Sequence, residues 1–274
     1  MKGVYQMKTT FKRSLSVLLA IILLCGVVPF SRLTASAASY TTGDIIQYGN
    51  YPQTKITDAS FKAALGELTP DSNSDVILNG VKYRRYITAN MTDFYRYEPI
   101  SWRVLSNGPD GLFVVAVKVL DCKPYNTSNT SVTWESCTLR TWMNSTFYNI
   151  AFSSSEKSKI RSSTLINDAN PNYGTPGGID TLDKVFIPSY YDAVCAQYGF
   201  STSTGSSPTR VAAPTDYAKS LGVSYGGSGA FWWLRTPGSF QHSACAVYTD
   251  GYVYISNNGV TDTNIGVRPA LKLN

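Results

Sequence analysis

Residues 230–274, AFWWLRTPGSFQHSACAVYTDGYVYISNNGVTDTNIGVRPALKLN, decide the fold class of this chain. They contain three segments with the composition of β-strands, FWWLR, ACAVYT and YVYIS, and they close on GVRPALKL. Polar, turn-rich stretches separate the segments, and Asp250 followed by Gly251 predicts a type I′ hairpin turn. The stretch therefore predicts an aromatic-cored, rigid scaffold that leaves many small polar and tyrosine side chains exposed.

The first 37 residues have the pattern of a secretory signal peptide. Lys8, Lys12 and Arg13 precede an apolar run at 15–30, and the sequence Ala-Ser-Ala at 35–37 is typical of a cleavage site. The apolar run is shorter than the roughly 18 to 20 residues that cross a bilayer. We therefore expect a secreted or cell-wall-associated protein with no membrane span after cleavage; a retained membrane anchor is the alternative.

The charge of the chain is concentrated in this segment. Five of the 24 basic residues and none of the 18 acidic ones lie within it, so the remainder carries 19 basic against 18 acidic residues. No basic cluster remains to neutralise phosphates, and we expect no nucleic-acid partner.

The remaining chain predicts a single α+β domain over residues 42–274. Alternating or unbroken apolar patterns predict strands at 44–49, 81–87, 100–105 and 112–120, the last of them buried in the middle of a sheet. A short helix is predicted at 61–68, and helical spacing of apolar residues predicts another between Leu139 and Ile150. Capping residues predict further helix starts at Ser153, Ser189 and Thr215.

Six segments together resemble a known family: PISWRVL, TWESCTLRTWMNSTFYNIAFSSSE, LDKVFIPS, APTDYAKSLG, FWWLRTPG and GVRPALKLN. They resemble DUF6273, a domain of unknown function found in exported proteins of Gram-positive gut bacteria, over residues 44–273. The closing GVRP is also similar to the G-F-R ending of C-type-lectin-like and formylglycine-generating-enzyme-like (sulfatase-modifying-factor-like) domains. The resemblance implies an irregular α+β fold with a small twisted antiparallel sheet, short helices and long loops.

Several residues are expected to be structural. Arg140, Arg235 and Arg268 lie in apolar or aromatic sequence, where an unpaired charge is costly. We expect ion pairs with acids drawn from Asp121, Glu135, Asp180 and Asp183; a site for a ligand carboxylate is the alternative. Trp142, Trp232 and Trp233 are assigned to the core.

No catalytic, metal or cofactor site is predicted. His242 is the only histidine, and neither Ser243 nor Cys245 has a reason to align with it as a nucleophile. Formylglycine-generating enzymes carry copper-binding cysteines near the C-terminus, but here only Cys245 stands in that region. The lectin calcium signature is broken, since Ile100 follows Glu98 and Pro99. Cys122, Cys137, Cys195 and Cys245 allow three pairings, of which Cys122 with Cys137 is weighed against buried free thiols.

The C-terminal segment instead has the composition of adaptable binding loops, in which tyrosine gives contact area and small polar residues give hydrogen bonds. The predicted ligand-binding residues are Ser239, Phe240, Gln241, His242, Tyr248, Tyr252, Tyr254, Asn257, Asn258, Thr263 and Asn264. This layout also resembles the diversified C-terminal segments of variable proteins from diversity-generating retroelements. We expect a non-catalytic module that binds an extracellular protein or glycan. The alternatives are a formylglycine-generating-enzyme-like enzyme or its inactive relative, and a purely structural domain.

Overall fold

Two sheets carry the fold of residues 40–274, the part of the chain that the computed structural model describes. Tyr40–Asn274 form one compact unit, which combines mostly antiparallel strands with a few short helices. The signal peptide predicted for residues 1–37 lies outside the described residues. Within the described part, no helix is long and apolar enough to cross a membrane.

The strands are β1 (Ile45–Lys55), β2 (Asp75–Leu78), β3 (Val81–Ile87), β4 (Thr92–Gly108), β5 (Gly111–Ala116), β6 (Asp121–Cys122), β7 (Ser163–Leu165), β8 (Thr181–Asp183), β9 (Val185–Phe186), β10 (Tyr225–Gly226), β11 (Gly229–Ala230), β12 (Trp232–Pro237), β13 (Ser243–Val247), β14 (Val253–Gly259), β15 (Gly266–Val267) and β16 (Ala270–Leu273). The α-helices are α1 (Ala59–Gly66), α2 (Thr138–Trp142), α3 (Tyr148–Ala151), α4 (Ser154–Lys157), α5 (Tyr190–Ala193) and α6 (Asp216–Ser220). A π-helical turn (Met143–Phe147) joins α2 to α3, and a 3₁₀ turn (Ala196–Tyr198) follows α5.

The longest strand, β4, organises a seven-stranded sheet in the order β2-β3-β4-β5-β16-β9, with β1 paired to β4. The first part of β4 pairs with β3 and its last part with β5. Leu112 to Ala116 of β5 are buried between β4 and β16, which confirms the buried central strand predicted from this apolar run. The strand ends at Ala116, earlier than predicted.

The C-terminal residues build a five-stranded sheet in the order β14-β13-β12-β15-β6. Its strands are antiparallel except where β12 meets β15, with Trp232 opposite Gly266. The closing segment is divided between the two sheets: β15 belongs to the five-stranded sheet and β16 to the seven-stranded one. Pro269 stands between them and has no N–H to donate to either ladder. The described residues therefore contain more sheet than the single small sheet that the resemblance implies.

Side chains on the five-stranded sheet alternate between two apolar clusters. Trp233 and Ala246 pack into the main core, whereas Trp232, Leu234 and Val247 pack into a second cluster on the other face. Successive side chains of a strand point to opposite faces, so β12 and β13 are buried on both sides. That explains why FWWL and ACAV are apolar without interruption.

The turn between β13 and β14 differs from the prediction. A type I′ turn needs a positive φ at both central residues, but here Gly251 has a φ of 81° while Asp250 is not in the left-handed region. The N–H of Gly251 donates to the carbonyl oxygen of Tyr248, which closes a longer loop with glycine at its left-handed position. A Cβ on Gly251 would overlap the carbonyl oxygen of Ser207.

The predicted helix starts are confirmed. Ser153 and Ser189 both form capping boxes, with Glu156 and Asp192 respectively, and the Thr215 side chain accepts from the N–H of Ala218. The helix that starts after Ser189 is short: α5 ends after one turn, and the 3₁₀ turn that follows is capped by Gly199, whose φ is 72°.

Candidate ligand-binding surface

Four aromatic side chains form a continuous surface at the Tyr248 end of the β13–β14 hairpin. The rings of Phe231 and Tyr248 are stacked, with centroids 4.3 Å apart and an interplanar angle of 4°. Tyr254 stacks on Tyr248 at 5.1 Å, and Tyr252 tilts against it at 6.2 Å. We call these four residues the tyrosine face. Phe231 was not among the predicted contact residues, because its position in an apolar segment indicates core.

The side chains of β14 alternate between the two sides of the sheet, which sets the position of the tyrosine face. Val253 is buried and Ile255 packs against the second apolar cluster, while Tyr254 points to the opposite side. Tyr252 lies just before the strand and is 39% exposed, whereas Tyr248, Tyr254 and Phe231 are half-buried. Burial raises the pKa of Tyr248 to about 12, with Tyr254 and Tyr252 adding to the effect. Tyr248 therefore keeps its hydroxyl proton at neutral pH.

Asn258 does not belong to the exposed surface, contrary to the prediction. Its side chain is 6% exposed, and its amide donates to the carbonyl oxygen of Ala244 at 3.2 Å. The Tyr248 hydroxyl in turn donates to Asn258 Oδ1 at 3.2 Å. The ladder between β13 and β14 is irregular between Ala244 and Ala246, next to the pairing of Ala244 with Asn258. Asn258 therefore supports the tyrosine face from beneath.

The loop after β12 carries four more of the predicted residues. Phe240 and His242 are exposed and stack on each other with centroids 5.4 Å apart. Ser239 is held by a bond from its N–H to Ser256 O, and the Gln241 amide donates to the carbonyl oxygens of Val132 and Pro176. Among the described residues, no aromatic pair joins this loop to the tyrosine face.

Three further predicted residues, Asn257, Thr263 and Asn264, are exposed. The Asn264 amide donates to Ser224 Oγ at 2.9 Å, which fixes its loop against the segment before β10. The predicted residues thus form an exposed or half-exposed set, with the exception of Asn258. Their rings form two groups, the tyrosine face with Phe231 and the Phe240–His242 pair.

A family model described as "Domain of unknown function (DUF6273)" matches residues 110–274, more than half of the chain. The chain belongs to the DUF6273 family. The match starts just before β5 and includes every predicted contact residue, whereas the segment PISWRVL at 99–105 precedes it. No curated protein and no solved structure matches the chain.

Arg140, Arg235 and Arg268, which the sequence predicts to be structural, all have partners within the described residues, but only one is paired with a predicted acid. Arg140 Nε lies 2.6 Å from Asp183 Oδ1, which confirms that pair. Arg235 pairs instead with Asp192 of α5, at 2.7 Å. Arg268 forms no ion pair with a carboxylate of residues 40–274. Instead its Nε donates to the carbonyl oxygen of Ala116, and its guanidinium carbon lies 4.8 Å from the centre of the Trp232 ring. Burial lowers the Arg268 pKa to about 9, which still leaves it charged at neutral pH.

The predicted core tryptophans differ in burial. Trp232 and Trp233 are completely buried, whereas Trp142 is half-buried, with its ring against Phe147 and the Lys123 ammonium 4.8 Å above it. Trp233 Nε1 donates to the carbonyl oxygen of Lys123. Trp142 therefore belongs to the edge of the core.

Sequence reasoning missed Arg210, a completely buried arginine in this DUF6273 domain. Its guanidinium donates to the carbonyl oxygens of Gly251, Ser201 and Gly205 and has no carboxylate partner within the described chain. These bonds tie the polar loop before it to the turn beside the tyrosine face. The surrounding sequence, PTRVAAP, is not strongly apolar, so no local pattern identified the burial.

The four cysteines that the structure describes carry free thiols, and Cys122 and Cys137 are not bridged. Cys122, Cys137 and Cys245 are buried, and burial raises the pKa of each thiol to about 12. Cys195 is half-buried. Residues 40–274 contain no group of three His, Cys, Asp or Glu side chains placed to hold a metal ion.

Proposed function

We propose that this protein is an exported, non-catalytic binding module whose ligand surface is the tyrosine face and the loops beside it. The observation that carries this proposal is the stack of Phe231, Tyr248 and Tyr254 with the exposed Tyr252 beside it. Aromatic rings that are already stacked lose little conformational entropy when they contact a ligand. The ligand is an extracellular protein or a glycan, and the location is the cell wall or the medium.

We also propose a C-type-lectin-like arrangement for the domain. The antiparallel strands, short helices, long loops and a final strand that returns to the sheet support it. An experimental structure superposed on that fold class would test the proposal, and a different strand order would contradict it.

Retroelement diversification of the C-terminal segment is part of the same proposal. The exposed Asn257, Thr263, Asn264 and His242 are of the residue types that adenine-directed diversification enriches. The test is the DNA: a near-repeat of the codons for residues 230–270 and a reverse-transcriptase gene nearby are expected. Their absence would remove this part of the proposal and leave the binding surface untouched.

The enzyme alternative, related to formylglycine-generating enzymes, needs a reactive thiolate at Cys245. That thiol is buried in the second apolar cluster and has a pKa of about 12. A thiolate is the nucleophile and metal ligand in cysteine chemistry, so this environment favours the binding module over the enzyme.

The experiment is capture of the protein on arrays of glycans and of extracellular proteins. A Tyr252→Ala/Tyr254→Ala variant should lose at least about tenfold in affinity, because truncating a central aromatic contact typically costs over 1 kcal/mol. The matched control is Tyr40→Ala, which removes an exposed tyrosine at the other end of the described chain and should not change capture. Equal capture by the double variant and the control would overturn the proposed surface.

A further inference from the structure

A cleft lies away from the tyrosine face, between β5, β7, β9, β16 and α5. Its volume is about 240 Å³. None of the four residues of the tyrosine face lines it, so it is a separate site. The apolar residues of its lining are Phe113, Leu165, Ile166, Phe186, Tyr191 and Tyr198, and its polar ones are Thr164, Asp168, Ser189, Asp192, Arg235 and Lys272.

The floor of the cleft is aromatic. Phe113 and Phe186 stack with centroids 5.8 Å apart, and the ring of Tyr198 packs edge-on against Phe113 at 5.3 Å. Both phenylalanines are almost completely buried, whereas Tyr191 is 44% exposed at the rim. An apolar floor with an exposed tyrosine beside it suits the C–H face of a small ring.

Arg235 forms a fixed part of the cleft wall. The residue is 7% exposed, and its Nη1 donates to Asp192 Oδ2 at 2.7 Å and to the carbonyl oxygen of Ile187. Its Nη2 donates to the carbonyl oxygen of Ile166. These bonds hold the guanidinium in place, so its charge is already paired within the wall.

The charges of the lining set the kind of ligand. Lys272 is half-buried, its Nζ lies 5.8 Å from the Phe113 ring centre, and among residues 40–274 it forms no ion pair. Asp192 already neutralises Arg235, so Lys272 is the cation that an anionic ligand would meet. Asp168, exposed and equally without an ion pair in that range, can accept from hydroxyl groups.

We propose that this cleft binds a single acidic sugar ring of the hexuronate type. The sugar carboxylate meets Lys272, its hydroxyls meet Asp168 and Thr164, and its C–H face lies against the exposed Tyr191 ring. A neutral sugar would use the Tyr191 and hydroxyl contacts but would leave Lys272 without an anionic partner.

The test is an NMR titration of the full chain with sodium glucuronate and, in parallel, with glucose. Glucuronate is expected to bind at least about tenfold more tightly, since a hydrogen bond to a charged group is worth roughly 1.5 kcal/mol or more. Lys272→Gln should reduce glucuronate affinity to the level of glucose. Lys118→Gln, which removes an exposed lysine outside the cleft, is the matched control and should change neither affinity.

Asp168→Ala should weaken glucose binding, because a hydroxyl acceptor is lost, and should weaken glucuronate less, because removal of the like charge partly offsets that loss. Equal binding of glucuronate and glucose, no saturable shift with glucuronate, or unchanged glucuronate binding by Lys272→Gln would each overturn the proposal. Tyr252→Ala should leave the titration unchanged, and Lys272→Gln should leave array capture unchanged. A negative result for sugar binding in the cleft can therefore be distinguished from a negative result for ligand capture by the tyrosine face.

Discussion

Arg268 donates a hydrogen bond of 3.2 Å from Nη1 to the backbone carbonyl oxygen of Arg210. Both side chains are buried, and within residues 40–274 neither has a carboxylate partner. Backbone carbonyl groups and the ring of Trp232 take the place of an acid. Since these carbonyls come from the turn beside the tyrosine face and from β5, the two arginines fix that turn to both sheets.

Replacing Arg210 by methionine should therefore destabilise the domain by about 3 kcal/mol, because at least two buried carbonyls, those of Gly251 and Ser201, lose their donors. Urea unfolding would measure the change. Arg96→Met removes an exposed arginine and should alter the free energy of unfolding by no more than about 0.5 kcal/mol. Equal stabilities of the two variants would show that the Arg210 bonds contribute nothing.

Asp121 should make stability depend on pH. It is buried, and its carboxylate accepts only from the Tyr51 hydroxyl and the Cys122 N–H among the described residues. Burial raises its pKa above the ordinary 3.8. Between that ordinary value and the raised one the folded state binds more protons than the unfolded state, so stability falls as pH rises through this window.

Asp121→Asn should therefore gain stability relative to the wild type as pH rises above the ordinary carboxyl pKa and through the raised one. Unfolding curves of both proteins across this range would measure the difference. Asp110→Asn, at an exposed position, should follow the wild type. A constant difference between wild type and Asp121→Asn at every pH would contradict the burial effect.

The cysteines should differ in reactivity. Cys122, Cys137 and Cys245 are buried with thiol pKa values of about 12, while Cys195 is half-buried. Because the thiolate is the reactive form, iodoacetamide should label Cys195 first and the other three only after unfolding. Peptide mass mapping would show the order. A Cys122–Cys137 bridge in the non-reduced digest, or equally fast labelling of Cys245, would contradict the structure.

The elements that the sequence predicted correctly are those with a local signal. The capping boxes at Ser153 and Ser189, the buried strand at Leu112 and the strands beginning at Trp232 and Val253 all follow from neighbouring residues. Each depends on residues no more than a few positions apart, so the pattern is visible in one dimension.

The errors concern relationships between distant residues. Arg235 pairs with Asp192 and not with one of the expected acids, and the Asn258 side chain points inward to the carbonyl oxygen of Ala244 on the neighbouring strand. Phe231 joins the tyrosine face only because β12 and β13 pair in one register. None of these follows from spacing along the chain, since each depends on which strand lies beside which.

The hydroxyl of Tyr248 provides a last test, because it separates support of the tyrosine face from contact with a ligand. Tyr248→Phe keeps the stack with Phe231 but removes the bond to Asn258 Oδ1, so it should cost about 1 kcal/mol of stability. Tyr252→Phe should leave stability nearly unchanged, since among residues 40–274 the Tyr252 hydroxyl has no hydrogen-bond partner. Its effect should appear in ligand capture instead, because Tyr252 is the most exposed ring of the face. Thermal unfolding and array capture of both variants would check the division, and a loss of stability confined to Tyr252→Phe would reverse the assignment of supporting and contacting tyrosines.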